Sequence, residues 1–351
     1  MSTYLIYNIL LLLFSQILQF RYRILIGCSL CFLLILSAIR YKGVIHNVLP
    51  SSIRTVSLRS YLSKPETSNN NHEIDDRKVL SKKFKYTINE DTICKETNKT
   101  SVSLLVGVFS GLTETPLRNF VRSKWGAVAK RSPKVRLVFI LGTPEGTSND
   151  MKSVQEESKL HGDVIQANFT DTYRGLLLKS FAYFKWAQDY CDNAKYLLKI
   201  DSDMQIDLMQ LVTVLEKGNI SDRFHCGEMN TDSYPVRNKN NKWYVSPQMF
   251  PGRKFPFYCQ GAAYVISKRI ANKIADLPIP NKFFPIDDVY MTGILRETLK
   301  EDIEHKIMRF HHHYKATDTK VTEGKFSKFI MTIHVADDSI EKQGKKNDGK
   351  A

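Results

Sequence analysis

Residues 196–203 read YLLKIDSD, an apolar run typical of a buried strand that ends in two carboxylates. Runs of the same kind precede it at 103–111 (SLLVGVFSG), 135–142 (VRLVFILG) and 163–169 (DVIQANF). Segments with helical periodicity lie between them, at 116–130 and 173–191. This alternation predicts an α/β fold with a mostly parallel central sheet and helices on both faces. Ligands bind at the carboxyl ends of the strands in such sheets, so the acids that end the 196–203 run are candidates for a functional site.

Asp201 and Asp203 place two carboxylates near one point. Hard oxygen ligands of this kind hold Mg²⁺ or Mn²⁺, and these ions in turn hold phosphates. The same spacing also occurs in polar turns with no ligand, and Lys199 could pair with one of the acids in a purely structural role. The motif therefore has a metal-binding and a structural interpretation.

A second acid pair, Asp287 and Asp288, lies in the apolar and aromatic stretch FFPIDDVYMTG, 283–293. Carboxylates in such surroundings tend to have raised or split pKa values, which suits a general base. Either acid could instead cap the helix that the following residues predict, with Pro285 before it. The two interpretations are compatible.

Histidine is concentrated late in the chain. His311, His312 and His313 are consecutive, so their side chains point in different directions and suit a single ion poorly. His334 lies in the apolar run FIMTIHVAD, 329–337, which predicts a strand. A lone histidine on a strand is usually structural, but a neutral imidazole would suit a divalent ion that Asp203 also holds.

The N-terminus contains two uncharged apolar runs, 4–20 and 24–39, each near or just below the lower limit of about 17 residues for a spanning helix. We predict a transmembrane signal anchor at 24–39, with Arg21 and Arg23 on its cytoplasmic side. A cleaved signal peptide is the alternative. Whether 4–20, within the N-terminal segment 1–23, forms a second membrane segment stays open.

Residues 40–100 are rich in Ser, Asn, Lys and Asp and predict a flexible stem. A folded domain is expected over 101–338, with a polar tail at 339–351. Three N-glycosylation sequons lie beyond the predicted anchor, which agrees with a luminal body: they begin at Asn98, Asn168 and Asn219. Four cysteines on the same side, Cys94, Cys191, Cys226 and Cys259, allow two disulfides in three possible connectivities.

The composition excludes several classes of protein. With 42% hydrophobic and 25% charged residues, the 351-residue chain is an ordinary globular sequence rather than a disordered or collagen-like one. Six cysteines are too few for a disulfide scaffold. The formal net charge of +15 is spread along the chain, which argues against a dedicated nucleic-acid-binding tail.

Several motifs together resemble those of one family, the galactosyltransferase-type β-1,3-glycosyltransferases. They occur in the family's order between about residues 104 and 336: RNFVRSKWG (118–126), FILG (139–142), GDVIQ (162–166), FTDTY (169–173), LK (178–179), DSD (201–203), KWYVS (242–246), PFYCQG (256–261) and DDVY (287–290). The sequence departs from the family pattern at Gly175-Leu176-Leu177, at Ser202 and at Phe255. These departures concern specificity more than activity, since the outer acids of the DSD motif and both acids of DDVY are retained.

The resemblance implies a GT-A nucleotide-sugar-binding fold in an inverting, Golgi type II membrane enzyme. It implies that Asp203 and His334 ligate Mn²⁺ or another divalent cation, with Asp201 near the metal or the ribose, and that Asp288 is the general base with Asp287 beside it. The remaining roles that it implies are for the nucleotide-sugar pocket, Arg118, Arg122, Asp171, Lys179, Trp243 and Tyr244, and for the sugar and acceptor site, Tyr258 and Gly261.

The activity that the resemblance implies is transfer of galactose or an N-acetylhexosamine from a UDP-sugar to a glycan acceptor on a glycoprotein or glycolipid. Mn²⁺ would neutralise the diphosphate leaving group while Asp288 takes a proton from the acceptor 3-hydroxyl. A catalytically inactive, glycan-binding relative is the alternative, motivated by Gly175, Leu177 and Ser202. A membrane-anchored phosphohydrolase that uses the acid pairs as a two-metal site is a more distant one.

Overall fold

The computed structural model of the chain describes residues 84–95, 101–146, 150–217, 222–227, 229–280, 283–305, 308–310 and 320–335. The predicted anchor, the first apolar run, the polar tail, Asn98, Asn219 and the three consecutive histidines lie outside these ranges. No helix within them is both long enough and apolar enough to cross a bilayer.

Strands and helices alternate along the first half of the described chain. The strands are β1 (Tyr86–Ile88), β2 (Val102–Phe109), β3 (Val135–Thr143), β4 (Val164–Thr170), β5 (Ala194–Asp201), β6 (Met204–Ile206), β7 (Phe224–Cys226), β8 (Met229–Asn230), β9 (Tyr258–Cys259), β10 (Ala263–Ser267), β11 (Ile303–His305), β12 (Met308–Phe310), β13 (Lys320–Glu323), β14 (Phe326–Phe329) and β15 (Met331–Val335). The α-helices are α1 (Thr115–Ser123), α2 (Asp150–His161), α3 (Leu176–Tyr190), α4 (Leu208–Lys217), α5 (Lys268–Ala275) and α6 (Leu295–Leu299). Two 3₁₀ helices cover Trp125–Lys130 and Tyr173–Gly175, and a π-helix covers Val289–Ile294.

An eight-stranded sheet in the order β1-β4-β3-β2-β5-β10-β7-β11 forms the centre of the fold. The strands β4, β3, β2 and β5 run parallel to one another, as do β7 and β11. The edge strand β1 and the inserted strand β10 are antiparallel to their neighbours. The prediction of a mixed α/β fold with a mostly parallel central sheet is confirmed.

Both faces of the sheet are covered by helices, as predicted. All eight residues of β2 are buried, which is typical of a strand packed on both sides. On one face, Leu104 and Val106 join the core cluster that includes Leu211 of α4. On the other face, α3 comes so close that a Cβ added at Gly107 would lie 2.5 Å from the Tyr183 ring. The Tyr183 hydroxyl donates to Leu105 O at 2.9 Å, which fixes α3 against the sheet.

The single helix predicted over 116–130 is interrupted. Helix α1 ends at Ser123, Lys124 leaves helical geometry with φ −110° and ψ −112°, and a 3₁₀ helix begins at Trp125. The next residue explains how the chain turns so tightly, because a Cβ on Gly126 would lie 2.8 Å from Val121 O.

The folded part of the chain begins earlier than the predicted boundary at residue 101. Strand β1 pairs with β4 through Tyr86 and Ile88, so the stem predicted over 40–100 is too long at its C-terminal end. A disulfide joins Cys94 to Cys191 at the end of α3, and a second joins Cys226 to Cys259. The four cysteines thus form the two disulfides that the sequence allows, in one of the three possible connectivities.

The C-terminal strands form two smaller sheets. Strand β15 lies between β12 and β6, and Met331 N donates to Asp203 O at 2.9 Å. Strands β13 and β14 form a separate antiparallel hairpin. The strand predicted over 329–337 is divided, because β14 ends at Phe329 and β15 begins at Met331.

Candidate active site

The carboxyl ends of β2 and β5 bring the DSD motif to one edge of the sheet. Asp201 is the register partner of Phe109, and Ser202 N donates to Phe109 O at 3.0 Å. Asp201 N donates to Ala262 O at 3.0 Å. Asp201 therefore lies between the loop that follows β2 and the segment that precedes β10, at the edge where parallel sheets bind ligands.

A buried lysine connects this edge to the segment before β10. Lys199 is almost fully buried, and its Nζ lies 2.7 Å from Asp201 Oδ1. The same ammonium donates to Gly261 O. Burial would lower the pKa of Lys199, but the negative charges of Asp201 and Asp287 outweigh it and raise the pKa. Lys199 therefore stays charged, and it fixes the position of both Asp201 and the Gly261 peptide.

Asp287 and Asp288 approach the same place from the start of the helical segment that contains the π-helix. Asp288 Oδ1 accepts a hydrogen bond from Val289 N at 2.8 Å, so the helix-capping interpretation holds for this residue. Asp287 is buried, and its Oδ2 accepts from Ser180 Oγ of α3 at 3.3 Å. Gly261 lies against Asp288, because an added Cβ would meet Asp288 Oδ2 at 2.9 Å.

The environment of Asp288 favours its neutral form. Burial, followed by the negative charge of Asp287, raises the pKa of Asp288 to about 7. Hydrogen bonds from the Val289 and Gly261 amides and the charge of Lys199 oppose that shift. A carboxylate whose pKa lies near neutrality is well placed to accept a proton from a weakly acidic hydroxyl.

A buried arginine, Arg118, donates hydrogen bonds to the backbone of the loop after β2. Arg118 has no exposed surface, and its guanidinium donates to Gly111 O at 2.6 Å, to Leu112 O at 3.2 Å and to both carboxylate oxygens of Glu157 at 2.7 Å. Ser110 Oγ and Thr115 Oγ1 accept further bonds from it. Arg118 was predicted to line the nucleotide pocket, but all its donors are occupied within the protein. Its role in this structure is to position the loop.

Arg122 does not reach the carboxylate edge. It lies one helical turn from Arg118, forms two hydrogen bonds with Asp163 at 2.7–2.8 Å and pairs with Glu157. Asp163 immediately precedes β4, so Arg122 lies beside the amino end of that strand. The role of Arg122 in the nucleotide pocket stays a prediction. Its i, i+4 spacing from Arg118 directs both guanidinium groups to Glu157.

Asp171 and Lys179 form a buried ion pair that joins three strand ends. Lys179 Nζ lies 2.7 Å from Asp171 Oδ1 and 2.8 Å from Ser110 O. Asp171 Oδ2 accepts from Gly142 N at 2.9 Å. The pair therefore lies at the predicted edge of the sheet, where it sets the spacing of the loops after β2, β3 and β4.

Exposed aromatic side chains lie beside the carboxylates. Trp243 Nε1 donates to the Tyr173 hydroxyl at 2.9 Å, and the Lys242 ammonium lies 4.4 Å from the centre of the Trp243 ring. Partial burial raises the pKa of Tyr173 against the hydrogen bond from Trp243, and the nearby charges of Asp287 and Asp288 raise it further. Trp243 and Tyr173 are thus two accessible aromatic side chains joined by a hydrogen bond, and Tyr173 is near enough to Asp287 and Asp288 to interact with their charges.

The other aromatic residues of the predicted site are less accessible. Tyr258 is 9% exposed, and its hydroxyl shares a hydrogen bond of 3.1 Å with Ser233 Oγ. Tyr244 is half-buried, and its amide donates to Asn241 O at 3.0 Å. These residues support the segment that carries Trp243 and Gly261.

The predicted metal ligands do not converge in the part of the chain that the structure describes. Asp201 is paired with Lys199, and Asp203 Oδ2 lies 3.2 Å from Lys328 Nζ. His334 is three residues beyond Met331, which is the register partner of Met204, so His334 lies about 10 Å further along β15. No group of three or more His, Cys, Asp or Glu side chains within the described ranges is arranged to hold an ion. The residues as placed here do not fit a divalent cation.

Comparisons with known proteins bear on this site. Residues 117–309 match the family model described as galactosyltransferase, which is more than half of the chain. The chain belongs to the galactosyltransferase family. Beta-1,3-galactosyltransferase 5 of Gorilla gorilla gorilla is 31% identical over 215 residues, which are 61% of this chain and 70% of that protein. Beta-1,3-galactosyltransferase 2 of Mus musculus is 32% identical over 224 residues, which are 62% of this chain and 52% of that protein.

The galactosyltransferase match includes most of the residues described above. It covers Arg118, the DSD motif, Gly261 and Asp288, and it leaves out Glu114, Lys328 and His334. One solved structure, 4-diphosphocytidyl-2C-methyl-D-erythritol synthase from Anaerococcus prevotii, aligns at 12% identity with a TM-score of 0.31 over 58% of this chain and 86% of that chain. A structural similarity with so low a TM-score supports no conclusion about the function of the galactosyltransferase chain.

Four residues of the galactosyltransferase site were missed by sequence reasoning: Glu114, Ser180, Tyr173 as a partner of Trp243, and Lys328. Glu114 precedes α1, Ser180 lies within α3, and Lys328 lies on strand β14 of the C-terminal hairpin. None of them belongs to a local pattern of paired acids or histidines, so the sequence contains no signal that would single them out.

The sequon at Asn168 lies within the sheet of the galactosyltransferase domain. Asn168 is on β4, its Oδ1 accepts from Lys85 N at 2.8 Å and its backbone amide donates to Lys85 O at 3.0 Å. The side-chain carbonyl oxygen of Asn168 is therefore engaged by Lys85, the residue that precedes β1.

Proposed function

We propose that the chain is a GT-A-type hexosyltransferase that moves galactose or an N-acetylhexosamine from a UDP-sugar to a hydroxyl of a glycan acceptor. Membership of the galactosyltransferase family supports a nucleotide-sugar donor. Relatives whose names specify β-1,3 galactose transfer support a hexose and a 3-hydroxyl acceptor. As part of the same proposal, the anchor at 24–39 places the domain on the luminal side of the Golgi membrane.

The observation that carries the proposal is the position of Asp288. Its carboxylate lies at the ligand-binding edge of the sheet, against Gly261, with a pKa raised to about 7 by burial and by Asp287. The exposed Tyr173 is near enough for the charge of Asp288 to raise its pKa, and Trp243 donates to its hydroxyl. A positioned proton acceptor beside an accessible aromatic side chain suits transfer to a sugar hydroxyl.

The proposed reaction is a single displacement. The acceptor oxygen attacks the anomeric carbon of the donor, and its proton passes to Asp288. The bond between the anomeric carbon and the diphosphate oxygen breaks, and UDP leaves with that electron pair. One displacement converts an α-linked donor into a β-linked product, which is the inverting outcome.

The protein's own groups position these reactants. Lys199 fixes Asp201 and the Gly261 peptide, Lys179 fixes the loop after β2, and Asp287 raises the proton affinity of Asp288. Orientation and fixed charge of this kind carry a large part of the rate enhancement in transfer reactions. The resemblance implies Mn²⁺ as well, but the described residues do not form a site for it, so no step above depends on one.

Turnover by Asp288→Asn and Asp287→Asn tests the proposal. UDP release from UDP-galactose, UDP-N-acetylglucosamine and UDP-N-acetylgalactosamine is measured with a panel of glycan acceptors, together with UDP affinity. We expect Asp288→Asn to lose two to four orders of magnitude in turnover, the usual contribution of a positioned base, and to keep its affinity for UDP. Asp287→Asn should lose less.

Three outcomes would reject this assignment. Near-normal turnover by Asp288→Asn would show that the base lies elsewhere. Binding of UDP without turnover by the wild-type chain, for every donor and acceptor tested, would favour an inactive glycan-binding relative. Release of free phosphate in place of UDP would indicate a phosphohydrolase.

A further inference from the structure

A cavity of about 530 Å³ lies at the end of the sheet opposite the proposed active site. It is lined where β3 and β4 begin, by Leu137 of β3 and by Gly162 and Asp163, which precede β4. The candidate site lies at the other ends of these strands, where Gly142 N donates to Asp171. At about 3.3 Å per residue, Leu137 and Gly142 are roughly 16 Å apart along β3, so the cavity is separate from that site.

The lining of this cavity is rich in positive charge. Lys130 ends the 3₁₀ helix, Arg131 follows it, and Arg136 is the second residue of β3. Within the part of the chain that the structure describes, none of these three side chains is paired with a carboxylate. Arg122 and Asp163 also line the cavity, but they form two hydrogen bonds with each other and their charges balance. Three positive charges therefore remain uncompensated around one cavity.

The guanidinium of Arg136 is held in place by the backbone. Its Nε donates to Ile93 O at 2.8 Å, and its Nη1 donates to carbonyl oxygens of the turn before β3 and of its own strand, including Val135 O at 2.8 Å. These partners are uncharged, and Nη2 has no acceptor among the described residues. Because the side chain is half-buried and already oriented, it loses little conformational freedom when a ligand binds. Arg136 thus brings a fixed positive charge and an unused donor nitrogen to the cavity wall.

A histidine in the cavity lining is affected by the same charges. His161 is the last residue of α2, and burial, followed by the positive charge of Arg122, lowers its pKa, with a smaller contribution from Lys130. The negative charges of Asp163 and Glu157 oppose that shift without cancelling it. His161 is therefore mostly neutral at pH 7 in the free protein. An anion that enters the cavity would favour the imidazolium form, which makes His161 a reporter of binding.

We propose that this cavity binds a polyvalent anion, the phosphate or sulfate ester of a small molecule or sugar, at a site separate from that of sugar transfer. Three uncompensated cations attract a ligand with two or more negative charges more strongly than a single carboxylate. Arginine suits such ligands because its planar guanidinium donates to two oxygens of one tetrahedral group. The cavity volume lies within the range of about 300–1,000 Å³ that is usual for small-molecule sites. The inference does not rest on the proposed function.

Isothermal titration of the full chain with two anions tests the inference. Inorganic pyrophosphate is the phosphate probe and a heparin disaccharide is the sulfate probe, both at about 0.15 M salt, where weak surface attraction is screened, and without divalent cations. We expect Arg136→Met to weaken binding of the preferred anion at least about tenfold, the usual contribution of a hydrogen bond between charged groups. The double variant Lys130→Met/Arg131→Met removes two exposed charges and should weaken binding by a similar factor. It also keeps the test valid if Arg136→Met does not fold.

Lys159→Met is the matched control. Lys159 is an exposed lysine of α2, two residues from His161, and it does not line the cavity. Its loss should leave the affinity for both anions unchanged. An equal loss of affinity in Lys159→Met and in the double variant would attribute binding to the basic surface in general and would overturn the inference.

The pKa of His161, followed by nuclear magnetic resonance of labelled histidine, locates the bound anion. The His161→Gln variant assigns its signal among the nine histidines. Saturating anion should raise this pKa by at least about 0.5, because a negative charge in the cavity stabilises the imidazolium. An unchanged pKa at saturation would place the anion elsewhere and would overturn the inference.

The two probes distinguish the two sources of the anion. Tighter binding of pyrophosphate supports a phosphorylated ligand, and tighter binding of the heparin disaccharide supports a sulfated sugar. If neither binds with a Kd below about 10 mM, the cavity is not an anion site.

Discussion

Gly261 lies directly against Asp288. A Cβ at position 261 would come within 2.9 Å of Asp288 Oδ2 and 3.1 Å of Asp288 Cβ, so only a residue without a side chain leaves the carboxylate where it is. The Gly261 carbonyl also accepts from the Lys199 ammonium. The Gly261 backbone therefore contacts the Asp288 carboxylate on one side and the Lys199 ammonium on the other.

Gly261→Ala is expected to reduce turnover by one to two orders of magnitude, because the new methyl group must displace the Asp288 carboxylate by several tenths of an ångström or more. Turnover and UDP affinity with saturating donor measure the effect. Gly111→Ala is the control, since its methyl would meet the Glu114 side chain no closer than 3.5 Å, and it should keep most of its activity. Full activity in Gly261→Ala would mean that the position of Asp288 is unimportant.

The pH dependence of turnover should follow Asp288. Its pKa is raised in the folded protein to about 7, and only the ionised form can accept a proton. Turnover should therefore fall as the pH decreases below about 7. Asp287→Asn removes the neighbouring negative charge that raises this pKa, so the acidic limb of the profile should move to lower pH. If the acidic limb of the Asp287→Asn profile does not move, the group that titrates in that limb is not Asp288.

Glu157→Gln should destabilise the fold in a pH-dependent way. Burial would raise the pKa of Glu157, but hydrogen bonds and charge from Arg118 and Arg122 lower it to about 2. A depressed folded-state pKa means that the contribution to stability is complete above the unfolded pKa of about 4.3 and is lost as the pH falls toward 2. The loss in the free energy of unfolding should be about 3–5 kcal/mol at pH 7, the usual cost of breaking a buried ion pair from one side.

Urea unfolding at pH 7, 4 and 3 measures that difference. Glu156→Gln is the matched control, because Glu156 is exposed and its distance to Lys152 is 4.0 Å. It should change the free energy of unfolding by less than about 0.5 kcal/mol at every pH. A difference for Glu157→Gln that stays constant down to pH 3 would contradict the assigned ion pair.

Trp243→Ala should weaken acceptor binding more than it slows the chemical step. Trp243 is 45% exposed and is oriented by its hydrogen bond to Tyr173. Losing an aromatic surface of this kind should raise the acceptor KM roughly tenfold, or about 1.4 kcal/mol, with a smaller change in kcat. Trp243→Phe keeps an aromatic ring, so its acceptor KM should lie between those of the wild type and Trp243→Ala. Leu160→Ala, a change at an exposed apolar residue of α2, should alter neither constant.

The first half of the sheet could be predicted because its strands are continuous apolar runs. Residues 103–111, 135–142, 163–169 and 196–201 became β2, β3, β4 and β5 in the expected parallel arrangement. The break in the helix after Ser123 could not be predicted, because it depends on the close approach of Gly126 to Val121 O. The position of β10 beside β5 could not be predicted either. All five residues of β10 are buried, so its sequence has no alternation of apolar and polar residues that would indicate its partner or direction.

From the residues alone, before any resemblance, the candidate site was predictable where acids occur in pairs. Asp201 and Asp288 stood out for that reason, and the fold brings both near Lys199. The contacts that define their chemistry are tertiary: Gly261 against Asp288, Ser180 against Asp287, and Lys328 between Asp203 and Glu114. The pairing of Arg122 with Asp163 and Glu157 could not be predicted, because a motif specifies which residues occur together and not which partners each side chain meets.

The insertion of β10 between β5 and β7 has a consequence for how the chain is made. Until residues 263–267 have been synthesised, β5 is an edge strand with unpaired backbone groups, and it ends in the carboxylates of the site. Exposed edges of this kind pair readily with other chains. During synthesis, the strand that carries Asp201 is therefore open to pairing with other chains until β10 is made, and the same insertion that covers this edge also brings Gly261 to its place beside Asp288.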